Sequence, residues 1–289
     1  LYKTSCPQYR LLQKRITMHY KFDRYKNLYL LCASAYTSAD FEKTHTLSER
    51  RYKWGYFPAA KSYSDIDELI SEKREASILW AARMIDWKHP EVPVQIAKRL
   101  KKTGCRFHMT LIGNGTLQKH IMSLIQENNL NAEVSVVNSM TPEEVRNEME
   151  KAQIFLVTSD RNEGWGAVVN EAMNSGCAVI ANHAAGSVPY LIQDGINGFI
   201  YKDGDINELF DKVVWLLNHE ISRRKMGKEA YHTIINQWNA ENAASRLLTL
   251  SRQLLAGKDT PFSDGVCSKA EIIEDNWYVN QNSLSGSLS

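Results

Sequence analysis

The chain has 289 residues, of which 43% are apolar and 24% charged, so it holds enough apolar material for the cores of about two domains. Glycine (15) and proline (7) are sparse and no repeat is visible, which excludes disordered, fibrous and repeat-array classes. With 35 basic and 33 acidic side chains, the net charge of +2 predicts no nucleic-acid partner, although a local basic face could contact an anionic membrane surface.

The cysteines and the apolar runs predict a cytoplasmic protein. The five cysteines are scattered and include no Cys-x-x-Cys pair, which indicates reduced thiols and no zinc site. The densest apolar run, Leu28 to Ala35, is far shorter than the roughly 20 residues of a membrane-spanning helix. We therefore expect a cytoplasmic chain, with contact to the cytoplasmic face of a membrane left open.

The first 76 residues predict only part of a domain. They contain one apolar strand at Leu28 to Ser34, a polar helix at about 39–51, and an aromatic turn from Trp54 to Pro58. No companion strand is visible, and the chain begins with Leu1 in place of methionine. We therefore interpret residues 1–76 as the remnant of a domain whose larger part is missing.

From Ser77 onward, short apolar runs alternate with amphipathic stretches, which is typical of repeated βα units and predicts an α/β fold. The predicted strands are Ile78–Ala82, Phe107–Ile112, Glu133–Val137, Ile154–Thr158, Ala178–Ala181 and Gly198–Tyr201. The predicted helices cover about 90–102, 116–128, 142–151, 166–175, 187–192, 205–218, 221–236 and 240–255.

This alternation predicts a Rossmann-like parallel sheet with helices on both faces over residues 77–237. A C-terminal helix at 238–256 is expected to follow. Residues 257–289 are predicted to form a polar tail that is loose at its end.

The most informative motif runs from Glu163 through Gly164, Trp165 and Gly166 to Glu171, directly after a predicted strand and into a helix. Ligands of parallel sheets bind at the carboxyl ends of strands. The glycines allow close backbone approach, and the amides at the helix start attract anions such as phosphate. The two glutamates are about 12 Å apart along a helix, too far for the paired carboxylates of a glycosidase, so each can hold a different part of one extended ligand.

A second motif follows the first strand of the predicted sheet. Arg83 and Lys88 lie in one loop there, and two cations at the carboxyl end of a strand suit a diphosphate. Arg83 can bind two oxygens with its planar fork, while Lys88 acts as a mobile point charge. We therefore predict that both cations stabilise a diphosphate leaving group.

Together these motifs resemble retaining glycosyltransferases of family 4, also called group 1, over residues 77–237. The family pattern is close to S-x-x-E-G-x-G-x-x-x-x-E-A-M-x-x-G-x-P-V, and its R-x-x-x-x-K-G loop and D-G-x-N-G-F turn have counterparts here. The matching residues are Ser159 or Asp160, Glu163, Gly164, Gly166, Glu171, Ala172, Met173, Gly176, Val179, Arg83, Lys88, Gly113-Asn114-Gly115 and Asp194 to Phe199. The chain departs from the pattern at Ala82, His89, Asn138 and Ala178, where the family usually has glycine or proline.

The resemblance implies a GT-B architecture, in which residues 77–237 bind the nucleotide sugar and residues 1–76 belong to an N-terminal acceptor-side domain. It implies transfer of a sugar, with retention of configuration, from a nucleoside-diphosphate sugar to a glycan or lipid-linked acceptor. No cofactor or metal ion is expected. Glu163, Arg83 and Lys88 would be the catalytic residues. The expected donor-binding residues are Arg83, Lys88, Glu163, Gly164, Trp165, Gly166 and Glu171.

Other interpretations remain open from the sequence. The chain could be a donor-binding module that has lost catalysis with its missing half, in which case it would transfer little or nothing; a nucleotide-sugar 2-epimerase is a weaker alternative. Asp203-Gly204-Asp205 and Asp65-Ile66-Asp67 match the metal motif Asp-x-Asp. We expect a structural role and no metal ion at Asp203-Gly204-Asp205, because Asp205 with Glu208 forms a capping box at a helix start. Of the histidines, His183 is kept as a candidate pocket residue.

Overall fold

A computed structural model describes residues 7–279 of the chain. Its internal contacts divide it into two units. The first, here called the terminal unit, comprises residues 7–56 and Glu241–Trp277. The second, here called the sheet unit, comprises Phe57–Ala240 together with the chain from Tyr278.

The described residues form eight strands in two sheets. In the terminal unit β1 pairs with β2, and in the sheet unit six strands lie in the order β5-β4-β3-β6-β7-β8, with parallel pairing throughout. The strands are β1 (Leu30–Cys32), β2 (Arg51–Lys53), β3 (Ser77–Ala81), β4 (His108–Ile112), β5 (Val134–Val137), β6 (Ile154–Val157), β7 (Ala178–Asn182) and β8 (Phe199–Tyr201). Counted within the sheet unit, this is the 3-2-1-4-5-6 order of a Rossmann-type sheet, so the predicted α/β fold is confirmed.

From Glu91 onward the described helices follow the predicted pattern, whereas those at Pro7–Met18 and Ile66–Ser71 were not predicted. They are α1 (Pro7–Met18), α2 (Thr37–Glu42), α3 (Ile66–Ser71), α4 (Glu91–Lys102), α5 (Gln118–Glu127), α6 (Pro142–Lys151), α7 (Ala167–Asn174), α8 (Val188–Leu191), α9 (Ile206–Asn218), α10 (Glu220–Asn236) and α11 (Ala240–Leu255). Around the sheet, α4 packs against α5 and α9, while α10 packs against α3 and α7. No helix within residues 7–279 is long and apolar enough to cross a bilayer.

The central strands β3, β6 and β7 are buried at every position. A strand covered by helices on both faces has no solvent-facing side, so its sequence reads as a continuous apolar run. Trp80 lies within β3, and its indole donates to the Thr158 hydroxyl at 2.8 Å. The core therefore extends to the carboxyl ends of the strands, where the predicted site lies.

The sheet unit begins at Phe57 rather than after residue 76. Helix α3 packs against α10, and the rings of Tyr63 and Tyr231 meet with centroids 5.7 Å apart. Lys73 is buried and donates to the carbonyls of Met149, Glu150 and Ser175 at 2.8 to 3.0 Å. These carbonyls lie at the ends of α6 and α7, so one cation serves two helix ends.

The terminal unit corrects two predictions. The predicted helix at 39–51 ends at Glu42, because His45 and Leu47 adopt left-handed conformations with φ of 50° and 54° that no helix continues. The chain then forms β2, which pairs with β1 and was not predicted from the sequence. Arg51 of this strand is buried, and its guanidinium donates to the carbonyl of Thr46 at 2.7 Å.

The tail also supplies backbone partners for β2, which the sequence analysis had expected to be missing. The Lys53 amide donates to the Ser268 carbonyl at 2.8 Å, and the Ala270 amide donates to the Arg51 carbonyl at 3.1 Å. Val266 and Cys267 are fully buried, so this part of the tail is not simply polar. The predicted loose end of the tail falls at 280–289, outside the described residues.

Both Asp-x-Asp matches contain a helix cap. Asp65 accepts from the amides of Asp67 and Glu68, and Asp205 accepts from those of Asn207 and Glu208. The capping box predicted for Asp205 is incomplete, because the Glu208 carboxylate accepts instead from the Lys202 amide at 2.8 Å and pairs with Lys212 at 2.9 Å. The cap role of Asp205 is therefore confirmed and the reciprocal bond is not.

Candidate functional site

The predicted site lies where the strand order changes direction. Residues 82–89, here called the cation loop, follow β3, and residues 158–166, here called the glutamate loop, follow β6. Strands β3 and β6 are neighbours, and their helices leave in opposite directions along the sheet order, which opens a crevice between the two loops. The two motifs recognised separately in the sequence are therefore adjacent.

The Lys88 ammonium forms an ion pair with the Glu163 carboxylate across this crevice. The two side chains are only 12% and 15% exposed. Burial lowers the pKa of Lys88 to about 8, and the nearby Arg83 charge contributes to the shift. Two of the three predicted catalytic groups, Lys88 and Glu163, are thus largely shielded from solvent, where charge interactions are strong.

Neutral hydrogen bonds join the stems of the two loops. The Asp160 amide donates to the Trp87 carbonyl at 3.0 Å, and the Thr158 hydroxyl donates to the Lys88 carbonyl at 2.5 Å. Since the Thr158 oxygen also accepts from the Trp80 indole, the buried core fixes the backbone at Lys88. The position of this lysine is therefore set by β3 and β6 together.

Arg83 and Glu171 line a second part of the site, a cleft of about 300 Å³ beside the cation loop. Arg83 is exposed, with its guanidinium 5.7 Å from the centre of the Trp87 ring. Burial raises the pKa of the Glu171 carboxyl above its usual range, while the Arg146 charge opposes the shift. The other lining residues come from the ends of β3 and β4, from the loops after β3, β4 and β5, and from α6 and α7, among them Ala82, Gly113, Asn114, Met140 and Val168.

Close packing of two loops shapes this cleft. A Cβ atom on Gly113 would overlap the Ala82 carbonyl oxygen, and one on Gly115 would overlap the Met84 carbonyl oxygen. The Met84 amide donates to the Asn114 carbonyl at 2.7 Å. The glycines recognised after β4 are therefore required by the approach of the cation loop to its neighbour.

The two glycines of the glutamate loop have different roles. Gly166 precedes α7 with φ of 83°, and a Cβ there would lie 3.2 Å from the Glu163 Cγ. Gly164 is exposed and lacks a left-handed φ, and a Cβ added to it would meet no atom within 4 Å. The backbone conformation thus requires glycine at 166, while the space at 164 is open.

These roles predict different effects on stability. Gly166→Ala is expected to lower the free energy of unfolding by about 1 to 2 kcal/mol, the usual cost of a left-handed conformation in a residue with a side chain. Gly164→Ala is the matched control, with an expected change within about 0.5 kcal/mol. Urea denaturation followed by circular dichroism measures both, and equal losses for the two variants would contradict the assignment.

Trp165 is placed differently from its predicted role. Its side chain is 2% exposed, and its indole donates to the side-chain oxygen Oδ1 of Asn170 at 2.8 Å. With Phe57, Tyr190 and Trp238 it forms a group of packed rings, here called the aromatic cluster, with centroids 5.7 to 6.5 Å apart. A ring enclosed in this way supports the glutamate loop from within and does not line the cleft.

Several residues near the site were not predicted. The charge of Arg146 on α6 lowers the pKa of Glu171 against the effect of burial, and Met140 and Val168 line the cleft. Their position after strand ends, or on the inward face of α6 and α7, was the available signal. His183, the candidate pocket histidine, is buried and accepts a hydrogen bond from the Asp203 amide at 3.0 Å, which is a structural contact.

Comparison with known proteins identifies the family of the segment that carries this site. A family profile described as glycosyl transferases group 1 matches residues 64–233, which is more than half of the chain and includes both loops. The chain belongs to this family. The family match therefore rests on the same segment that carries the cleft and the paired loops.

Among curated relatives, the poly(ribitol-phosphate) alpha-N-acetylglucosaminyltransferase of Staphylococcus aureus (strain COL) is 25% identical over 172 residues, covering 58% of this chain and 34% of that protein. The chain spans about a third of the length of the first curated relatives that it matches. The similarity therefore concerns about a third of each of these relatives.

Two solved structures show the same fold. A variant of S. aureus TarM in complex with fondaparinux, alpha-GlcNAc-glycerol and UDP is 22% identical with a TM-score of 0.60, covering 70% of this chain and 39% of that one. Anabaena HepE in complex with UDP-glucose is 17% identical with a TM-score of 0.61, covering 84% and 67%. At these identities the two likenesses show the fold alone, and they agree with the α/β fold described above.

Proposed function

We propose that the chain is the donor-binding part of a glycosyltransferase that moves a sugar from a nucleoside-diphosphate sugar to a glycan or lipid-linked acceptor, with retention of configuration and without a metal ion. The observation that carries this proposal is the pairing of Lys88 with Glu163 in a crevice that also presents Arg83. Cations beside a strand-end cleft suit a diphosphate, and a carboxylate beside them suits sugar hydroxyls.

The proposed reaction breaks the bond between the anomeric carbon and the β-phosphate oxygen and forms one between that carbon and an acceptor oxygen. The bonding electron pair leaves with the diphosphate, which also takes the acceptor's hydroxyl proton. Arg83 and Lys88 offset the charge that grows on the leaving group. Attack on the same face of the sugar retains the configuration, as expected from the family pattern around Glu163 and Glu171.

The two glutamates have separate parts in this proposal. Glu163 orients hydroxyls of the transferred sugar, and Glu171 holds the ribose hydroxyls in the cleft. The amides from Gly164 to Gly166 add positive potential at the start of α7. When a diphosphate binds, Lys88 exchanges part of its contact with Glu163 for phosphate oxygens, which frees the carboxylate for the sugar.

Thermal unfolding with a panel of UDP, GDP, ADP and TDP tests this proposal. A nucleotide at one hundred times its dissociation constant should add about 2.7 kcal/mol to the free energy of unfolding and raise the melting temperature. Uridine without phosphates should give a much smaller shift. A panel in which no diphosphate raises the melting temperature would overturn the proposed function.

The division of roles predicts that Glu171→Gln weakens UDP and UDP-glucose binding alike, whereas Glu163→Gln mainly weakens UDP-glucose. Each loss is expected to be about five- to tenfold, the value of one ordinary hydrogen bond of about 1 kcal/mol or slightly more. Titration calorimetry of both variants with both ligands measures the four affinities. If both variants lost the same factor for both ligands, the separate roles would be wrong.

A donor-binding module without catalysis was the alternative from the sequence. Family membership favours the transferase, because the two loops with their cations and glutamates are all present. The transferred sugar is best sought first among N-acetylglucosamine and glucose, the sugars named for the similar proteins. Release of UDP from either nucleotide sugar, followed over time, distinguishes turnover from binding alone.

A further inference from the structure

His89 ends the cation loop in an unusual conformation. Its φ of 49° and ψ of 56° are left-handed, a region that glycine enters freely and other residues enter rarely. The family pattern has glycine after the loop lysine, so a simple turn there needs no side chain. A histidine held in this conformation therefore requires contacts that offset the strain.

The imidazole ring supplies two such contacts. Its Nδ1 lies 3.0 Å from the Glu91 carboxylate, and its Nε2 lies 3.2 Å from the Asp160 carboxylate. Ionised carboxylates only accept hydrogen bonds, so both ring nitrogens must donate for both contacts to form. The geometry thus fits the protonated, cationic ring, because neutral imidazole carries a single N–H.

Asp160 links the ring to the glutamate loop. One oxygen of its carboxylate accepts from the Asn162 amide at 2.8 Å, while the other meets the His89 ring. Its carbonyl accepts from the Glu163 amide at 3.0 Å. A side chain that holds Asp160 therefore holds the turn that presents Glu163.

We infer that His89 is a positioning residue that, in its protonated form, joins the cation loop to the glutamate loop and so holds Lys88 and Glu163 ready for a nucleoside diphosphate. This inference rests on the proposed function of the site. The bonds from the Asp160 amide and the Thr158 hydroxyl join the same loops at all pH values. The ring contact and the Lys88–Glu163 ion pair are the parts of the junction that titrate.

The surrounding charges support this role. Burial by itself lowers the pKa of His89, but hydrogen bonds and charges from Glu91 and Asp160 raise it overall above its ordinary value. The other charged groups of the two loops are Arg83, Asp86, Lys88, Arg161 and Glu163, of which Lys88 and Glu163 are paired with each other. Since the folded-state pKa is raised, the contact is complete below it and is lost as the pH rises through it.

The first test compares UDP affinity of the wild-type chain and His89→Gly by calorimetry from pH 6 to pH 9. Glycine accepts the backbone conformation and removes the ring. The variant should bind UDP about fivefold more weakly at pH 6, the effect of one partly exposed ion pair, and the ratio should approach one by pH 9. Titration of Lys88 affects both proteins alike and cancels in the ratio. A ratio independent of pH, or equal to one at pH 6, would overturn the inference.

The second test needs no ligand and so separates this inference from the proposed function. Nuclear magnetic resonance titration of the His89 ring gives its pKa in the wild-type chain and in Asp160→Asn, whose side-chain oxygen can still accept from the Asn162 amide. The pKa should fall in the variant, because the ring loses an anionic partner. An unchanged pKa would show that Asp160 does not hold the charged ring, even if UDP binds as proposed.

Discussion

Substitution of Lys88 by methionine is expected to weaken UDP binding about tenfold to a hundredfold at pH 7, since a hydrogen bond to a charged group contributes about 1.5 to 3 kcal/mol. The buried ammonium faces the crevice beside Arg83, and methionine keeps its apolar stem without its charge. The unpaired Glu163 carboxylate would then also repel the diphosphate. Titration calorimetry measures the affinity directly.

Lys151→Met is the matched control for this substitution. Lys151 pairs with Glu148 at 2.8 Å on the surface of α6, and it is 48% exposed. Its loss removes one positive charge from the protein without touching the cleft, so UDP affinity should change less than about twofold at roughly 0.15 M salt. Equal affinities for the wild-type chain and Lys88→Met would contradict the role assigned to the cation loop.

The same lysine predicts a pH dependence. Its pKa of about 8 lies below its ordinary value, so the ammonium loses its charge as the pH rises from 7 to 9. UDP affinity should therefore fall over this range in the wild-type chain. Lys88→Arg keeps its charge at all these pH values and should show a smaller fall. Identical pH profiles for the two proteins would rule out titration of Lys88 as the cause.

Trp238→Ala is expected to lower the free energy of unfolding by about 3 to 5 kcal/mol, the usual cost of removing a large buried side chain. Trp238 is 2% exposed and lies between Phe57 and Tyr190, whose ring centroids are 6.5 and 5.7 Å from its own. Trp165 packs against it at 5.8 Å, so the cavity would open beneath the glutamate loop. Urea denaturation of the full chain measures the loss.

Trp215→Ala is the control for this prediction. Trp215 is 37% exposed and stacks on His219 with ring centroids 4.4 Å apart. Its removal leaves no enclosed cavity, so we expect a loss of about 1 kcal/mol. If both tryptophan variants lost the same stability, the aromatic cluster would not have the central structural role described above.

The sheet unit was predictable because its signals are local. Each of the six strands is a short and largely apolar run, and the three central strands have no solvent-facing side. The loops that carry Arg83, Lys88 and Glu163 follow these strands directly, so their placement at one edge of the sheet followed from parallel pairing.

The terminal unit was less predictable because its contacts are distant in sequence. Strand β2 is three residues long, and its further backbone partners lie at residues 267–270 of the tail. The end of α2 depends on the left-handed conformations of His45 and Leu47, which the residue types do not predict. Pairing of this kind cannot be read from a window of neighbouring residues.

The placement of side chains at the site also depends on contacts that are distant in sequence. The sequence places Trp165 beside the donor glycines, but only the position of Trp238 and Tyr190 shows that its ring turns inward. Likewise, His89 stands where the family has glycine, and the role proposed for its ring depends on Asp160 in another loop. Motifs fix which loops meet, while packing between loops fixes what each side chain contacts.

A crystal structure of the chain with UDP would show whether the cation loop binds a diphosphate. We expect the diphosphate within hydrogen-bond distance of Arg83 and Lys88, with the ribose hydroxyls at Glu171 and the nucleobase in the cleft lined by Asn114 and Met140. A nucleotide bound elsewhere, or bound in the cleft with its diphosphate away from both cations, would contradict this expectation.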